Sequence, residues 1–282
     1  MAHFLLIVLE INMSLWGNMM KKLISLLATL FLSGMLLPVA SEALTIGYFD
    51  STRESYGFSG GGPYLSEARQ YLEDQGYTLV STNTVDASFL SSVDAFYTGL
   101  INSISSDEVD AMQNFVDVLG GFLFIQTDWA VGTWTAAANT ILANWGISHG
   151  GSYQNDNGHM VVGTSDWVGG VGTFIGAVHS VITSSPDSFE VLATDDLNRT
   201  ILGVFDAGAG RSSDVLISTD INMWDDGDGW NNANNRQLWA NIWQNVDSQV
   251  DPNPVVPEPS TMLLLGAGLA GLAFTNRRRV TK

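Results

Sequence analysis

Residues 44–247 are predicted to form an α/β domain built on a mostly parallel sheet. Two observations carry this. Short apolar runs of strand character alternate with amphipathic segments of helix length, the pattern of successive βαβ units. One run, Phe122 to Gln126, is apolar almost throughout, as a strand covered on both faces must be. No repeat of about 20–50 residues is visible, which disfavours a solenoid or propeller.

The elements follow in order. Leu44 to Phe49 reads as a strand running into Asp50. Gly60-Gly61-Gly62-Pro63 opens a helix that ends at Gln75 before Gly76, proline first and glycine last. Thr78 to Ser81 and Val93 to Thr98 are short strands. Ser105 and Glu108 have capping-box spacing, and behind them Val109, Met112, Val116 and Leu119 form one apolar helix face ending at Gly120-Gly121. Thr135 to Trp145 reads as a helix stopped by Gly146. Ser148 to Gly176 blurs into Gly, Ser, Asn and Asp, an irregular insertion or a β-rich lobe. Phe189 to Thr194, Ile201 to Phe205 and Val215 to Thr219 are strands, with a turn at Asn198-Arg199. Asn234 to Val246 closes the domain as a helix burying Leu238, Ile242 and Val246. Parallel connections should be right-handed.

Charge divides the chain. All three lysines and three of the eight arginines lie near the termini, leaving Arg53, Arg69, Arg199, Arg211 and Arg236 in the middle. Residues 44–256, 213 in all, hold 26 acidic residues against five bases, a formal charge of −21. That length suits one domain with a real core. Such a surface repels nucleic acid and anionic lipid, and is compatible with divalent cations. There is no cysteine, which excludes disulfides, thiolate metal sites and a cysteine nucleophile.

Met19-Met20-Lys21-Lys22, the apolar run Leu23 to Leu37, and Ser41-Glu42-Ala43 have the layout of a secretory signal within residues 1–43, cleaved by signal peptidase after Ala43. The apolar patch Phe4 to Leu9 precedes it, and a start at Met19 or Met20 is the simplest reading. At the other end, residues 248–256 include Asp251-Pro252-Asn253-Pro254, a stiff spacer because proline fixes φ and restricts its neighbour. Residues 257–282 then bring Pro257-Glu258-Pro259, an apolar stretch from Met262 to Phe274, and Arg277-Arg278-Arg279. This tail resembles the PEP-CTERM sorting signal of Gram-negative bacteria. The resemblance implies a membrane helix, processing by an exosortase, and release to the cell surface or extracellular matrix. Thirteen apolar residues fall short of the ~20 of a comfortable span, and flanking polar residues with snorkelling arginines extend them. The arginines face the cytoplasm by the positive-inside rule. A plain C-terminal anchor gives the same outward topology.

Across 44–247, the apolar strand ending in Gln126-Thr127-Asp128, the run His179-Ser180-Val181-Ile182-Thr183, and Gly210-Arg211, Asp220-Ile221 and Asn235 before a helix are similar to non-amidotransferase branches of the class I glutamine amidotransferase-like superfamily. The resemblance implies a flavodoxin-like three-layer sandwich and puts His179 at a structural turn. Catalytic members place a cysteine at the turn that here reads Gln126-Thr127-Asp128-Trp129, so amidotransferase chemistry is excluded. No G-x-S-x-G elbow exists either.

Several candidates for chemistry remain. His149, His159 and His179 serve either as a base or as ordinary loop and core histidines. Asp220, Asp225, Asp226 and Asp228 gather hard oxygen ligands of the kind Ca²⁺ takes, but fit no EF-hand spacing; a solvated loop held by Asx turns is the other reading. Asp50, Asp128 and Asp220 each follow a strand. They converge on the crevice beyond the strands' carboxyl ends, with His179 as a companion, or each merely begins a turn. Trp129, Trp134, Trp145, Trp167, Trp224 and Trp230 sit in or near loops, offering either a glycan-stacking surface or core; Trp239 and Trp243 lie on the last helix. Two functions follow. One is a non-enzymatic binding or structural domain, with extracellular polysaccharide or Ca²⁺ as ligand. The other is a polysaccharide hydrolase using strand-end aspartates as general acid and base.

Overall fold

The computed structural model describes residues 43–59, 64–129, 131–154, 158–206 and 214–250. Both terminal segments, and with them the expected signal and membrane helix, Pro257, Glu258, Pro259 and Arg277 to Arg279, lie outside the described residues. Ala43 is the first described residue and is exposed.

Thirteen strands are described. The first six are β1 (Thr45–Phe49), β2 (Glu54–Tyr56), β3 (Thr78–Thr82), β4 (Ala95–Tyr97), β5 (Leu100–Ile101) and β6 (Phe122–Gln126). Next come β7 (Ser148–Gln154), β8 (His159–Val161), β9 (Thr173–Phe174) and β10 (Val178–Ser184). The last are β11 (Phe189–Thr194), β12 (Thr200–Asp206) and β13 (Asp214–Ser218). The helices are α1 (Ser66–Asp74), α2 (Ala87–Leu90), α3 (Ser106–Asp117), α4 (Gly132–Leu142), α5 (Asp228–Asn231) and α6 (Ala233–Val250).

Nine strands form one sheet in the order β3-β1-β4-β6-β13-β12-β11-β8-β9. The first five are mutually parallel. Ranked along the chain, they run second, first, third, fourth, fifth, the flavodoxin-like order. The rest add on antiparallel. Strand periodicity then sorts the core. Ile46, Tyr48, Tyr97, Phe122 and Phe124 face α1 and α6, which bring Ala68, Leu72, Leu238, Trp239, Ile242 and Trp243. Phe96, Leu123, Ile125 and Ile217 face the other way, onto Met112, Phe115 and Val116 of α3 and Ile141 and Leu142 of α4. Two apolar layers, one on each face of the sheet, make the three-layer sandwich. The nearly all-apolar run at Phe122 is explained, since all five residues of β6 are buried.

The cap on α3 forms as its spacing predicts. Ser105 Oγ accepts from the Glu108 N–H at 3.3 Å, and Glu108 Oε2 accepts from the Ser105 N–H at 3.0 Å. Burial alone would raise the Glu108 carboxyl. The Arg53 guanidinium at 2.7 Å, the Ser105 donors and the Val85 N–H outweigh that and hold it at about 2. Leu119 does not join the helix face as expected. The helix ends at Asp117, the chain reverses at Gly120 in the left-handed region (φ 71°), and Leu119 is left exposed while Phe115 fills the core. The Ser148 to Gly176 region is β-rich: β7 pairs with β10 outside the main sheet, and β8 and β9 extend its edge.

A cleft at the strand ends and a buried histidine cluster

The parallel sheet's switch point lies between β1 and β4. The chain beyond those strands returns as the small β2–β5 ladder. The Glu54 side chain is buried there, so close to Gly99 (φ 59°) that any Cβ at that glycine would overlap its carboxylate. Asp50 is not among the residues lining the cleft beyond β6 and β13. Its Oδ1 accepts from the Thr52 hydroxyl at 2.6 Å and the Thr52 N–H at 2.9 Å, and these bonds hold its pKa below the usual carboxylate range.

The open cleft lies one step along, beyond β6 and β13, with a volume of about 280 Å³. Tyr56, Tyr64, Trp129 and Trp134 line it, together with Asp128 and Asn222. The Tyr56 ring lies 4.8 Å from that of Tyr64, the two planes tilted by 59°, and meets Trp134 edge-on at 5.5 Å. Trp129 is 46% exposed, so this residue is partly open to solvent. The other loop tryptophans, Trp145, Trp167, Trp224 and Trp230, are core. Hydrogen bonds fix the aromatic wall. The Trp134 indole N–H donates to Asn102 Oδ1 at 3.1 Å, and the Tyr64 hydroxyl donates to Asn222 Oδ1 at 2.6 Å. Burial, followed by the nearby charges of Asp225, Asp128 and Asp220, raises the Tyr64 pKa, so this hydroxyl keeps its proton.

Asp128 follows β6 by two residues and is 7% exposed. Burial first, and the Asp220 charge second, push its pKa up to about 8, against the pull of the Trp129 N–H on Oδ1 at 2.8 Å. At neutral pH it is therefore mostly a protonated acid with a hydroxyl to donate. Asp128 and Asp220 come near enough to influence each other, as expected of strand-end aspartates, but Asp220 faces inward. It is fully buried, its Oδ2 accepting from the Ala177 N–H and His159 Nε2, both at 2.8 Å, and its Oδ1 from the Asn222 N–H at 2.9 Å.

The carboxylates of the acidic loop after β13 make separate local bonds. Asp226 caps α1, accepting from the Ser66 N–H and hydroxyl and the Glu67 N–H. Asp225 accepts from the Gly229 N–H at 2.9 Å, and Asp228 is exposed at the start of α5. The carboxylates of Asp225 and Asp226 thus do local structural work, as in the Asx-turn reading.

His179 is not on a turn. It sits within β10, paired in register with Tyr153 of β7, with no exposed surface. Its Nε2 lies 3.2 Å from Asp195 Oδ2 and its Nδ1 3.1 Å from the Ala177 carbonyl. Among the described residues, His159, His179 and Asp220 bring metal-ligand atoms within 4.8 Å of one another, all buried. Sequence reading weighs these residues separately and misses the cluster. They lie 20 and 41 positions apart on β8, on β10 and after β13. His149 is elsewhere in the core, its Nδ1 2.9 Å from Ser180 Oγ, and burial lowers its pKa to about 4.

Comparison with known proteins fits this picture. The class of the domain is a flavodoxin-like α/β sandwich, similar to the solved "mmIFT52 N-terminal domain" at 13% identity and a TM-score of 0.56, covering 75% of this chain and 99% of that one. Two ThuA-like proteins are further matches, one from Bacteroides uniformis (13%, TM-score 0.45, 74% of this chain and 95% of that one) and one from Parabacteroides merdae (13%, TM-score 0.45, 75% and 91%). Both are glutamine amidotransferase-like. At this identity the likeness concerns the fold alone. Residues 255–279 match the PEP-CTERM protein-sorting motif. That motif implies an exported protein, processed at the membrane by an exosortase in a Gram-negative bacterium. No curated protein matches the chain in sequence. Among the described residues, no helix is long and apolar enough to cross a membrane.

Proposed function

We propose that the domain is a non-catalytic binding module for neutral extracellular glycan, released by signal peptidase at Ala43 and carried to the cell surface or matrix by its sorting tail. The observation that carries this reading is the aromatic cleft. An exposed indole next to a wall of Tyr56, Tyr64 and Trp134 offers apolar faces to the C–H faces of sugar rings. The protonated Asp128 and Asn222 supply polar groups for hydroxyls. The ligand is neutral because none of the residues lining the cleft is an arginine or lysine, while Asp128 lies in it. An acidic polysaccharide would meet a strongly negative domain with no cation in the cleft lining to hold it.

The rival, a polysaccharide hydrolase, is favoured by one observation: Asp128 is tuned as an acid at neutral pH. It needs a second carboxylate facing Asp128 at roughly 5–10 Å, and Asp220 is turned away into its own bonds. A glycan array probed with the full chain, with and without Ca²⁺, tests the proposal. Binding of neutral glycans that does not depend on Ca²⁺ supports it, and an array blank under both conditions rejects it.

A further inference from the structure

We infer that His159, His179 and Asp220 form a buried structural site for a divalent transition metal of the zinc class. The donor set is right for such an ion, two imidazoles and one carboxylate. None of the three side chains has any exposed surface, and one ligand atom from each lies within 4.8 Å of the others.

The surroundings are those of a metal centre. Asp195 accepts at 3.2 Å from His179 Nε2, and is itself held by the Leu197 and Arg199 N–H groups and the Arg199 guanidinium. A carboxylate behind an imidazole is the usual orienting partner of a metal-bound histidine. Both ring nitrogens of His179 face oxygen acceptors, Nε2 the Asp195 carboxylate and Nδ1 the Ala177 carbonyl at 3.1 Å, and a neutral imidazole has one N–H to give; with that proton on Nε2, Nδ1 and the carbonyl are two acceptors face to face. A cation shared by both removes that conflict and makes the carbonyl a fourth donor. Charge points the same way. Asp195 has Arg199 as its counter-ion, whereas the ion-pair partner of buried Asp220 among the described residues is His159, an imidazole charged only when protonated; with a neutral His159 the carboxylate needs another counter-charge.

Ligands about 2.1 Å from a tetrahedral ion stand roughly 3.4 Å apart. His159 Nε2 and Asp220 Oδ2, now 2.8 Å apart, need separate only slightly. Gly176 packs against both atoms, where a Cβ would overlap them, so backbone seals the site from water.

The test uses the full chain in detergent, stripped with EDTA, then titrated with Zn²⁺ and separately with Co²⁺. One equivalent of Zn²⁺ should survive gel filtration and raise Tm. Co²⁺ should give the strong visible absorption of a low-coordinate site. His179→Gln and Asp220→Asn should each abolish stoichiometric binding, and Asp195→Asn should weaken it by about 10- to 100-fold, as loss of an orienting partner does. Absence of a stoichiometric Co²⁺ spectrum in the wild-type chain overturns the inference, whether or not the variants fold. So does Zn²⁺ binding that is unchanged in folded His179→Gln and Asp220→Asn chains.

Discussion

The Trp224 indole N–H donates to Gln126 Oε1 at 3.0 Å, both groups buried, bridging 98 positions of sequence. This bond ties the loop after β13 to the end of β6, two residues before Asp128. Gln126 uses its other end too, Nε2 donating to the Thr127 carbonyl at 2.8 Å and the Ser218 carbonyl at 3.2 Å. Replacing Gln126 with Leu strands a buried indole N–H and the Thr127 carbonyl, while the Ser218 carbonyl keeps the Thr127 N–H at 2.7 Å. We predict a loss of about 2–4 kcal/mol, since each orphaned buried group costs about 1–3 kcal/mol. Urea unfolding of the full chain measures it, and a loss below the cost of one such group would show the link to be dispensable.

A second prediction concerns pH. The folded Asp128 pKa, about 8, lies above its ordinary 3.8. Its favourable contribution is therefore complete below about pH 4 and is lost as pH rises through 8. Relative to Asp128→Asn, the wild type should lose stability between those limits, by at most about 1.4 kcal/mol per pH unit. His149 acts in the opposite sense. Buried neutral with a pKa of about 4, it costs stability as pH falls from 6.5 toward 4. Denaturation at pH 4, 6 and 8 separates the two, because the Asp128→Asn comparison cancels the His149 contribution. Parallel profiles for wild type and variant would remove Asp128 from the account.

The cap at Ser105 gives a smaller effect. Ser105→Ala removes one acceptor and should cost about 1 kcal/mol. Arg53→Met removes the guanidinium that offsets Glu108 burial. The Glu108 pKa should then rise from about 2, and acid unfolding should begin at a higher pH. An acid transition at the same pH in both proteins would contradict this.

Gly99 packs its backbone against the buried Glu54 side chain beyond the switch point. Its φ of 59° disfavours a side chain, and a Cβ there overlaps the Glu54 carboxylate. Gly99→Ala should lower stability by more than about 1 kcal/mol, the backbone cost alone, and Gly132→Ala, which meets nothing within 4 Å, serves as the control. Equal stabilities would mean that the β2–β5 ladder yields freely.

Legibility in the sequence tracks how local the cause is. Phe122 to Gln126 announces a doubly covered strand because the run is apolar almost throughout, and Ser105 with Glu108 announces a cap because three positions suffice. The antiparallel half of the sheet is half-legible. β11, β12 and β13 show as apolar runs, but β7 and β8, the former made of residues such as Gly150, Gly151 and Ser152, take their structure from pairing with distant partners. The cleft is visible only as a choice between exposed and buried tryptophans. Trp129 and Trp224 look alike in sequence, and the fold exposes one and buries the other. The histidine cluster is beyond local reading altogether, since it exists only once β8, β10 and the end of β13 meet.

The central claim is that the Trp129 face binds neutral glycan, and affinity electrophoresis in gels cast with soluble neutral polysaccharides tests it most directly. The wild-type chain should be retarded by at least one of them, and Trp129→Ala should weaken that binding by tenfold or more, as loss of about 1.4 kcal/mol of stacking requires. A wild-type chain that runs unretarded in every gel, or a Trp129→Ala chain retarded as strongly as wild type, would contradict it.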